Sequence, residues 1–174
     1  MKTLSEKAKS IQLFVMDVDG VLTDGKIIYT SEGKEIKTFN VKDGLGIKLL
    51  KNIGIKTALI TSRESQIVEK RGKELKIDFI YQNEKDKLKA INEILKKTGL
   101  KYENVLYIGD DLVDLPVLKR VGFPVCVPSA PKIMKKNCIY ITEKEGGDGA
   151  VREVVDVLLE LREEYNKAIQ EYLR

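Results

Sequence analysis

The sequence predicts an α/β fold, in which a parallel β-sheet carries helices on both of its faces. Short apolar runs bounded by turn residues are typical of buried strands. Along this chain they alternate with longer segments whose apolar residues recur at helical spacing. The length of 174 residues suits one domain with a substantial hydrophobic core. We therefore expect residues 1–174 to form a single domain.

The first predicted strand, residues 11–16, ends in the segment Asp17-Val18-Asp19-Gly20. In open parallel sheets, reacting groups gather at the carboxyl ends of the strands. Because the chain must turn at Gly20, the two carboxylates can point into one site from different surroundings. One carboxylate can then be an ionised nucleophile while the other exchanges protons. An acidic loop with no catalytic role is the alternative interpretation of this motif taken alone.

A β-hairpin and several further strands follow the first strand. Residues 26–40 contain two short β-rich runs on either side of Ser31-Glu32-Gly33, a pattern that predicts a hairpin turn. Apolar runs predict strands at 56–60, 77–81, 105–108 and 124–127, with an edge strand at 138–141.

Helical spacing and terminal residues predict the helices between these strands. Asn83 is expected to start a helix whose apolar face recurs in step and which Gly99 closes. Thr61 or Ser62 is expected to cap another helix. The expected helices span 43–54, 61 or 62 to about 75, 83–99, 111–121, and about 150–174.

The composition excludes several classes of function. The chain contains no histidine, which removes histidine-based catalytic triads, phosphohistidine chemistry and histidine-ligated metals. Lys and Arg number 31 and Asp and Glu number 27, and the two signs are interspersed, so nothing predicts a nucleic-acid-binding surface. This mildly basic balance equally suits a small anionic substrate.

The cysteines and the N-terminal residues predict no further chemistry. Cys126 and Cys138 lie in apolar segments and are expected to be buried thiols. Residues 127–132 also lack the arginine of a cysteine-based phosphate loop. The first ten residues are polar, and neither a signal peptide nor a membrane span is predicted, so we expect a cytoplasmic protein without a membrane partner.

Polar groups follow four of the predicted strands. They are Asp17 and Asp19, then Thr61 and Ser62, then a lysine-containing segment after residue 81, then Asp110 and Asp111. Such a set suits phosphoryl transfer through an aspartyl-phosphate, with Mg²⁺ bound between carboxylates of neighbouring strands. Taken alone, the threonine is more simply a helix cap and the lysine a solvated helix residue.

Four motifs together resemble those of the haloacid dehalogenase superfamily. They are Asp17-Val-Asp-Gly-Val-Leu-Thr-Asp-Gly25, Thr61-Ser-Arg63, Asp86-Lys-Leu88 and Gly109-Asp-Asp-Leu-Val-Asp114, and the likeness runs from about residue 11 to 153. The resemblance implies a Rossmann-like α/β fold. The gaps between the motifs hold no cap domain, so the implied protein is capless.

By this resemblance Asp17 is the nucleophile and Asp19 the general acid and base. Members that act on carbon–halogen bonds lack the second aspartate, so its presence favours a phosphatase or phosphotransferase over a dehalogenase. The resemblance also implies that Thr61 and Lys87 hold the phosphoryl group. Lys85 is the alternative for the lysine role, and the Asp-Lys-Leu context favours Lys87.

The resemblance further implies an Mg²⁺ cofactor. Its ligands would be Asp17, the main-chain carbonyl of Asp19, and Asp110. Asp111 and Asp114 would support the metal site from the same loop.

A finer resemblance is to the 3-deoxy-D-manno-octulosonate 8-phosphate phosphatase family. Four segments carry it: Gly20-Val-Leu-Thr-Asp-Gly25, Phe39-Asn-Val-Lys-Asp-Gly-Leu-Gly-Ile47, Gly109-Asp-Asp-Leu-Val-Asp-Leu-Pro116 and Gly146-Gly-Asp-Gly-Ala-Val-Arg-Glu153. Members of that family are capless homotetramers assembled through the hairpin, and they act in lipopolysaccharide precursor synthesis. The implied substrate is therefore a small sugar phosphate.

Four residues are candidates to bind the rest of such a substrate. Arg63 follows the phosphate-binding threonine and can form a forked pair with an anion. Lys42, Asp43 and Arg71 are further candidates, although Arg71 is more simply a surface charge. Lys42 also stands where arginine is common in the family.

Three other classes of protein share part of this pattern. A phosphatase for another sugar-acid phosphate, such as a nonulosonate 9-phosphate, would share the same chemistry. A non-catalytic assembly module, like the C-terminal domain of acylneuraminate cytidylyltransferases, need not keep Asp110, which this chain retains. A response-regulator receiver is disfavoured because its acidic pair comes first and its phosphoacceptor later, the reverse of the order here.

Overall fold

The structure is a computed structural model that describes residues 2–174. Its strands are β1 (Leu13–Met16), β2 (Ile28–Tyr29), β3 (Glu35–Ile36), β4 (Lys56–Ile60), β5 (Phe79–Tyr81), β6 (Val105–Gly109), β7 (Phe123–Cys126) and β8 (Tyr140–Ile141). Six of them form one sheet in the order β5-β4-β1-β6-β7-β8, and every neighbouring pair is parallel. The predicted parallel α/β fold is confirmed.

The central strand β1 sets the geometry of the sheet. All four of its residues are buried, as expected where helices cover both faces of a parallel sheet. Its last residue, Met16, lies beside Leu59 of β4 on one side and beside Ile108 of β6 on the other. The chain segments that leave these three strands therefore emerge side by side at one edge of the sheet.

The helices fall into groups that pack around the sheet. They are α1 (Leu4–Ser10), α2 (Val41–Asn52), α3 (Gln66–Glu74), α4 (Lys87–Thr98), α5 (Leu115–Leu118), α6 (Lys132–Lys135), α7 (Ala150–Leu161) and α8 (Tyr165–Ala168). Helix α7 contacts α1, α2 and α8, whereas α4 contacts α5. The long amphipathic helix α7 buries its apolar stripe, including Val151, Val154 and Leu158, in the common core.

Several predicted helix boundaries are wrong, and local contacts explain why. Helix α3 begins after Ser65 rather than at Thr61 or Ser62, because the main-chain N–H of Thr61 donates to Tyr81 O at 2.9 Å and keeps this segment beside β5. Helix α4 begins after Asp86, whose side chain accepts from the main-chain N–H groups of the first turn. Asn83, the predicted start, has a φ of 55°, which lies outside helical geometry.

Three further helical segments differ from their predictions. Residues 111–121 contain a 3₁₀ turn at Leu112–Asp114 and the four-residue α5. The last helix was expected to reach 174 but ends at Leu161, because Glu163 has a φ of 60° and redirects the chain into α8. Helix α1 was not predicted, although Thr3 and Glu6 form a capping box at its start.

The hairpin lies where it was predicted, with β2 and β3 forming an antiparallel pair of two residues each. Between Asp19 and Thr61 the chain holds only this hairpin, α2 and β4, and between Thr61 and Lys87 only α3 and β5. Over residues 2–174 neither gap contains a cap domain. Within the same residues, no helix has both the length and the apolar character that a membrane crossing requires.

The two cysteines differ in burial. Cys126 is buried in β7, as predicted, whereas Cys138 is only half-buried. Both are free thiols.

Candidate active site

The predicted polar strand ends meet at one edge of the sheet. Asp17 directly follows β1, Thr61 directly follows β4 and Asp110 directly follows β6, and these three strands are neighbours in parallel register. A cavity of about 210 Å³ opens between them. It is lined by Asp17, Asp19, Thr61, Ser62, Arg63, Lys87, Asp110, Asp111 and Val113.

Lys87 is the buried cation of this cavity. Its side chain is 1% exposed, and Nζ lies 2.9 Å from Oδ1 of Asp17 and 2.6 Å from Oδ1 of Asp114. Burial disfavours the charged form of the lysine, but the two carboxylates outweigh it and raise the Lys87 pKa. Lys85, the alternative lysine, is exposed to solvent. The structure thus brings Lys87, and not Lys85, to the carboxylates.

Asp114 organises the loop behind the cavity. It is fully buried, and its Oδ1 accepts hydrogen bonds from Lys87 and from the Tyr107 hydroxyl, the latter at 2.6 Å. Its Oδ2 accepts the main-chain N–H of Asp110 at 3.0 Å. These contacts fix the loop that presents Asp110. The sequence does not predict this role of Tyr107, because the residue lies within an apolar run that indicates only a buried strand.

Three carboxylates crowd one side of the cavity. Oxygen atoms of Asp17, Asp110 and Asp114 all lie within 4.8 Å of one another. Burial, and then the nearby charge of Asp114, raise the pKa of Asp17 to about 8 and that of Asp110 to about 6. Lys87 opposes both shifts but supplies only one positive charge. This all-oxygen set fits a hard divalent cation such as Mg²⁺, which would offset the remaining negative charge.

The turn after Asp19 requires glycine. Gly20 has a φ of 88°, in the left-handed region that other residues rarely adopt. A Cβ built at this position would lie 2.0 Å from Oδ2 of Asp110. The absence of a side chain therefore permits both the turn and the close approach of the first and fourth motifs.

Asp19 lies in a separate group of charges on the hairpin side of the cavity. Its Oδ1 accepts a hydrogen bond from Nζ of Lys37, and its Oδ2 lies 3.8 Å from Nε of Arg63. Glu35 joins the group, with Oε1 3.2 Å from Nη2 of Arg63 and 3.4 Å from Nζ of Lys37. Ser65 Oγ donates to Oε2 of Glu35 at 2.6 Å.

Glu35 and Lys37 were missed by sequence reasoning. The available signal was their spacing, since residues two apart on a strand share one face. Which face would turn towards Asp19 depends on how the hairpin packs.

The second motif supplies a hydroxyl group to the cavity. Thr61 is buried, and its Oγ1 accepts the main-chain N–H of Arg63 at 3.3 Å. Because α3 begins only after Ser65, the threonine does not serve as its helix cap. The hydroxyl oxygen accepts in the contact with Arg63, which leaves the hydroxyl hydrogen available to donate. The neighbouring Ser62 instead donates its hydroxyl to Glu84 O at 3.2 Å.

Three of the predicted substrate-binding residues do not line this cavity. Lys42 is exposed on the first turn of α2. Asp43 is buried, and its Oδ1 accepts the main-chain N–H of Arg152 at 2.8 Å. Arg71 lies over the ring of Phe39, 5.8 Å from its centroid. Of the four candidates, only Arg63 lies at the cavity of its own chain.

The chain is similar to proteins of known activity. A family model described as a haloacid dehalogenase-like hydrolase matches residues 77–154. The 3-deoxy-D-manno-octulosonate 8-phosphate phosphatase KdsC of Escherichia coli K12 is 45% identical over 153 residues, which cover 88% of this chain and 81% of the relative. The corresponding Yersinia pestis protein is 44% identical over 154 residues, covering 88% and 82%.

Solved structures agree with these relatives. The phosphatase of this name from Moraxella catarrhalis, in complex with a magnesium ion, a phosphate ion and a KDO molecule, is 46% identical. It has a TM-score of 0.93, and 97% of each chain is covered. The cobalt-bound Haemophilus influenzae enzyme is 36% identical with a TM-score of 0.89, covering 97% of this chain and 99% of that one. The chain belongs to the 3-deoxy-D-manno-octulosonate 8-phosphate phosphatase family of the haloacid dehalogenase superfamily.

Proposed function

We propose that this chain is a Mg²⁺-dependent phosphomonoesterase that hydrolyses 3-deoxy-D-manno-octulosonate 8-phosphate to the free sugar acid and phosphate. Such a reaction belongs to lipopolysaccharide precursor synthesis. The observation that carries the proposal is the joint presence of Asp17, Asp19, Thr61, Lys87 and Asp110 at one cavity, in a chain that belongs to this family. A non-catalytic assembly module would have no need of this complete set.

In the proposed reaction Asp17 is the nucleophile. One of its carboxylate oxygens attacks phosphorus, and the bond between phosphorus and the sugar oxygen breaks. Asp19 gives its proton to the departing sugar oxygen. Asp19 then takes a proton from water as that water attacks the aspartyl-phosphate, which releases inorganic phosphate and regenerates Asp17. Asp19 thus ends the cycle with the same proton count with which it began.

Lys87 and Thr61 are proposed to hold the phosphoryl oxygens. The ammonium of Lys87 already lies 2.9 Å from Asp17, so a phosphoryl group on that carboxylate would remain within its reach. The Thr61 hydroxyl lines the same cavity and has a hydrogen to donate. Both groups are buried and fixed by packing, which favours stabilisation of charge that develops during transfer.

The metal site is proposed to use Asp17, Asp110 and the main-chain carbonyl of Asp19. When bound, Mg²⁺ would supply positive charge to the phosphoryl oxygens and to the crowded carboxylates. Asp114 is held by Lys87, Tyr107 and a main-chain N–H group, so it supports the site by fixing the Asp110 loop. Asp111 supports the same loop by capping the turn that follows, through the main-chain N–H of Leu112 at 2.7 Å.

The remainder of the substrate is proposed to contact Arg63 and groups outside this cavity. Lys42, Asp43 and Arg71 remain predictions for that role, and they lie elsewhere on the same chain. A neighbouring copy is the proposed source of additional walls. The hairpin supports assembly, because Ile28 and Ile36, which pair with each other on its outer face, are 40% and 43% exposed. Ile27 and Tyr29, on the same hairpin, are also exposed. A homotetramer built through the hairpins would cover them.

Phosphate release from a panel of sugar phosphates, with Mg²⁺ and with Asp17→Asn as control, tests the proposal. We expect a strong preference for 3-deoxy-D-manno-octulosonate 8-phosphate and no release by the variant. A preference for a nonulosonate 9-phosphate would support the proposed reaction and show that the proposed substrate is wrong. A complete lack of phosphate release from every compound would contradict the proposal and favour a non-catalytic assembly module.

A further inference from the structure

The inner face of the hairpin carries charge into the candidate active site. Glu35 and Lys37 are two residues apart and turn towards Asp19, whereas Ile36 between them is 43% exposed. The Lys37 side chain is only 1% exposed. A buried ammonium requires acceptors, and its partners are Oδ1 of Asp19 and Oε1 of Glu35. The buried ammonium of the hairpin therefore needs the Asp19 carboxylate as a partner, and that carboxylate is in turn held by a residue of the hairpin.

The two oxygens of Asp19 have different surroundings. Oδ1 accepts a hydrogen bond from Lys37. Oδ2 lies 3.8 Å from Nε of Arg63, which is beyond hydrogen-bond distance, and within residues 2–174 no protein donor bonds to it. Arg63 is itself engaged through Nη2 with Glu35 at 3.2 Å. Oδ2 is thus the oxygen left available for proton transfer.

We propose, on the basis of the function proposed above, that Lys37 is a positioning residue for Asp19. By holding Oδ1, Lys37 fixes the carboxylate and reserves Oδ2 to carry the proton to and from the reacting oxygens. Glu35 assists by keeping the Arg63 guanidinium away from Oδ2. Without the lysine, Arg63 would be the nearest remaining cation to Asp19. The carboxylate would then turn towards it and occupy the oxygen that carries the proton.

The proposal predicts a dependence on the leaving group. When the bond from phosphorus to a sugar oxygen breaks, the departing alkoxide must receive a proton from Asp19. When the bond from phosphorus to a p-nitrophenyl oxygen breaks, the phenolate is stable and leaves without that proton. A mispositioned Asp19 therefore slows the first reaction and spares the second. A variant that merely disturbed the structure would slow both alike.

The experiment compares Lys37→Met with the wild type on a sugar phosphate and on p-nitrophenyl phosphate, both with Mg²⁺. The parameter is kcat/KM, which covers the steps up to departure of the leaving group. We expect kcat/KM to fall about 10- to 100-fold for the sugar phosphate and less than about threefold for the aryl phosphate. Lys37→Arg, which keeps the charge, should recover part of the loss.

Controls separate this effect from damage to the hairpin. Lys34 lies on the same hairpin with its side chain 77% exposed, so Lys34→Met should leave the ratio of the two kcat/KM values unchanged. Melting temperatures report folding of each variant, and Lys37→Gln carries the same expectation should Lys37→Met not fold. Equal losses on both substrates, or no loss on either, would overturn the proposal.

The wild-type measurements distinguish failure of this inference from failure of the proposed function. If the wild type hydrolyses other sugar phosphates but not 3-deoxy-D-manno-octulosonate 8-phosphate, the proposed substrate is wrong. The Lys37 comparison then proceeds on the sugar phosphates that are hydrolysed. If the wild type hydrolyses no phosphate ester at all, the proposed function and the role of Lys37 are both overturned.

Discussion

Lys87 and Asp114 form a buried ion pair in which Nζ lies 2.6 Å from Oδ1. The same ammonium lies 2.9 Å from Asp17. Lys87 is therefore a structural counter-charge for the acidic cluster as well as a candidate phosphoryl ligand.

Replacing Lys87 by methionine should destabilise the fold. Removing one partner of a buried ion pair leaves an uncompensated charge, so we expect the free energy of unfolding to fall by about 3–5 kcal/mol in urea titrations without Mg²⁺. Lys85→Met, at an exposed position two residues earlier, is the matched control and should change it by less than about 0.5 kcal/mol. A similar small change in both variants would contradict a structural role for Lys87.

The two aspartates after β1 should be separable by their kinetics. We expect Asp17→Asn to abolish turnover, because the amide is not a nucleophile, while circular dichroism shows an unchanged fold. Asp19→Asn should lower kcat for a sugar phosphate by about 10²- to 10⁴-fold through loss of proton transfer. Steady-state phosphate release measures both, and a rate near that of the wild type in either variant would refute the corresponding role.

Mg²⁺ should stabilise the folded chain. The cation would relieve repulsion among Asp17, Asp110 and Asp114, whose oxygens lie within 4.8 Å of one another. At a concentration about 100 times the dissociation constant, binding to the folded state alone adds about 2.7 kcal/mol, which thermal unfolding detects. Asp110→Asn should remove most of this shift, whereas Asp148→Asn, outside the cavity, should retain it. Full turnover after chelation would argue against a metal requirement.

Asp43 should make stability depend on pH. Burial raises its pKa from 3.8 to about 6, while the hydrogen bond from the Arg152 main chain acts in the opposite direction. Because the folded state binds this proton more tightly than the unfolded chain, the stabilisation is complete below about pH 4 and is lost as the pH rises through 6.

The Asp43→Asn variant removes this titration. Between pH 4 and pH 7 the wild type should lose up to about 3 kcal/mol more free energy of unfolding than the variant does. Glu32→Gln, with a side chain 71% exposed, is the control and should follow the wild type. Parallel pH profiles for Asp43→Asn and the wild type would exclude Asp43 as the source.

The outer face of the hairpin should control assembly. Light scattering of the wild type is expected to give the mass of a tetramer. Ile36→Lys would place a charge beside Ile28, which pairs with Ile36 on this face and is 40% exposed, so we expect smaller species. Lys34→Met, at an exposed site next to the turn, is the control. A monomeric wild type would contradict the proposed assembly through this face.

Local patterns in the sequence determined the fold class and the principal polar groups of the candidate site. Apolar runs and helical periodicity predict a parallel sheet, and Asp17, Thr61 and Asp110 directly follow three of its strands. Neighbouring parallel strands end at the same edge, so these positions followed from topology alone. Helix boundaries were less predictable, because they depend on turns such as those at Asn83 and Glu163.

Only the tertiary structure decided which distant side chains meet. The contact of Lys37 with Asp19 depends on how the hairpin folds back over the sheet. The hydrogen bond from the Tyr107 hydroxyl to the buried Asp114 likewise depends on packing behind the cavity. Spacing predicts which residues share a face of one element, but the partner of that face is chosen by packing between elements far apart in the chain. Packing likewise decides that Arg63 lines the cavity, whereas Lys42, Asp43 and Arg71 lie elsewhere on the chain and stay predictions as substrate-binding residues.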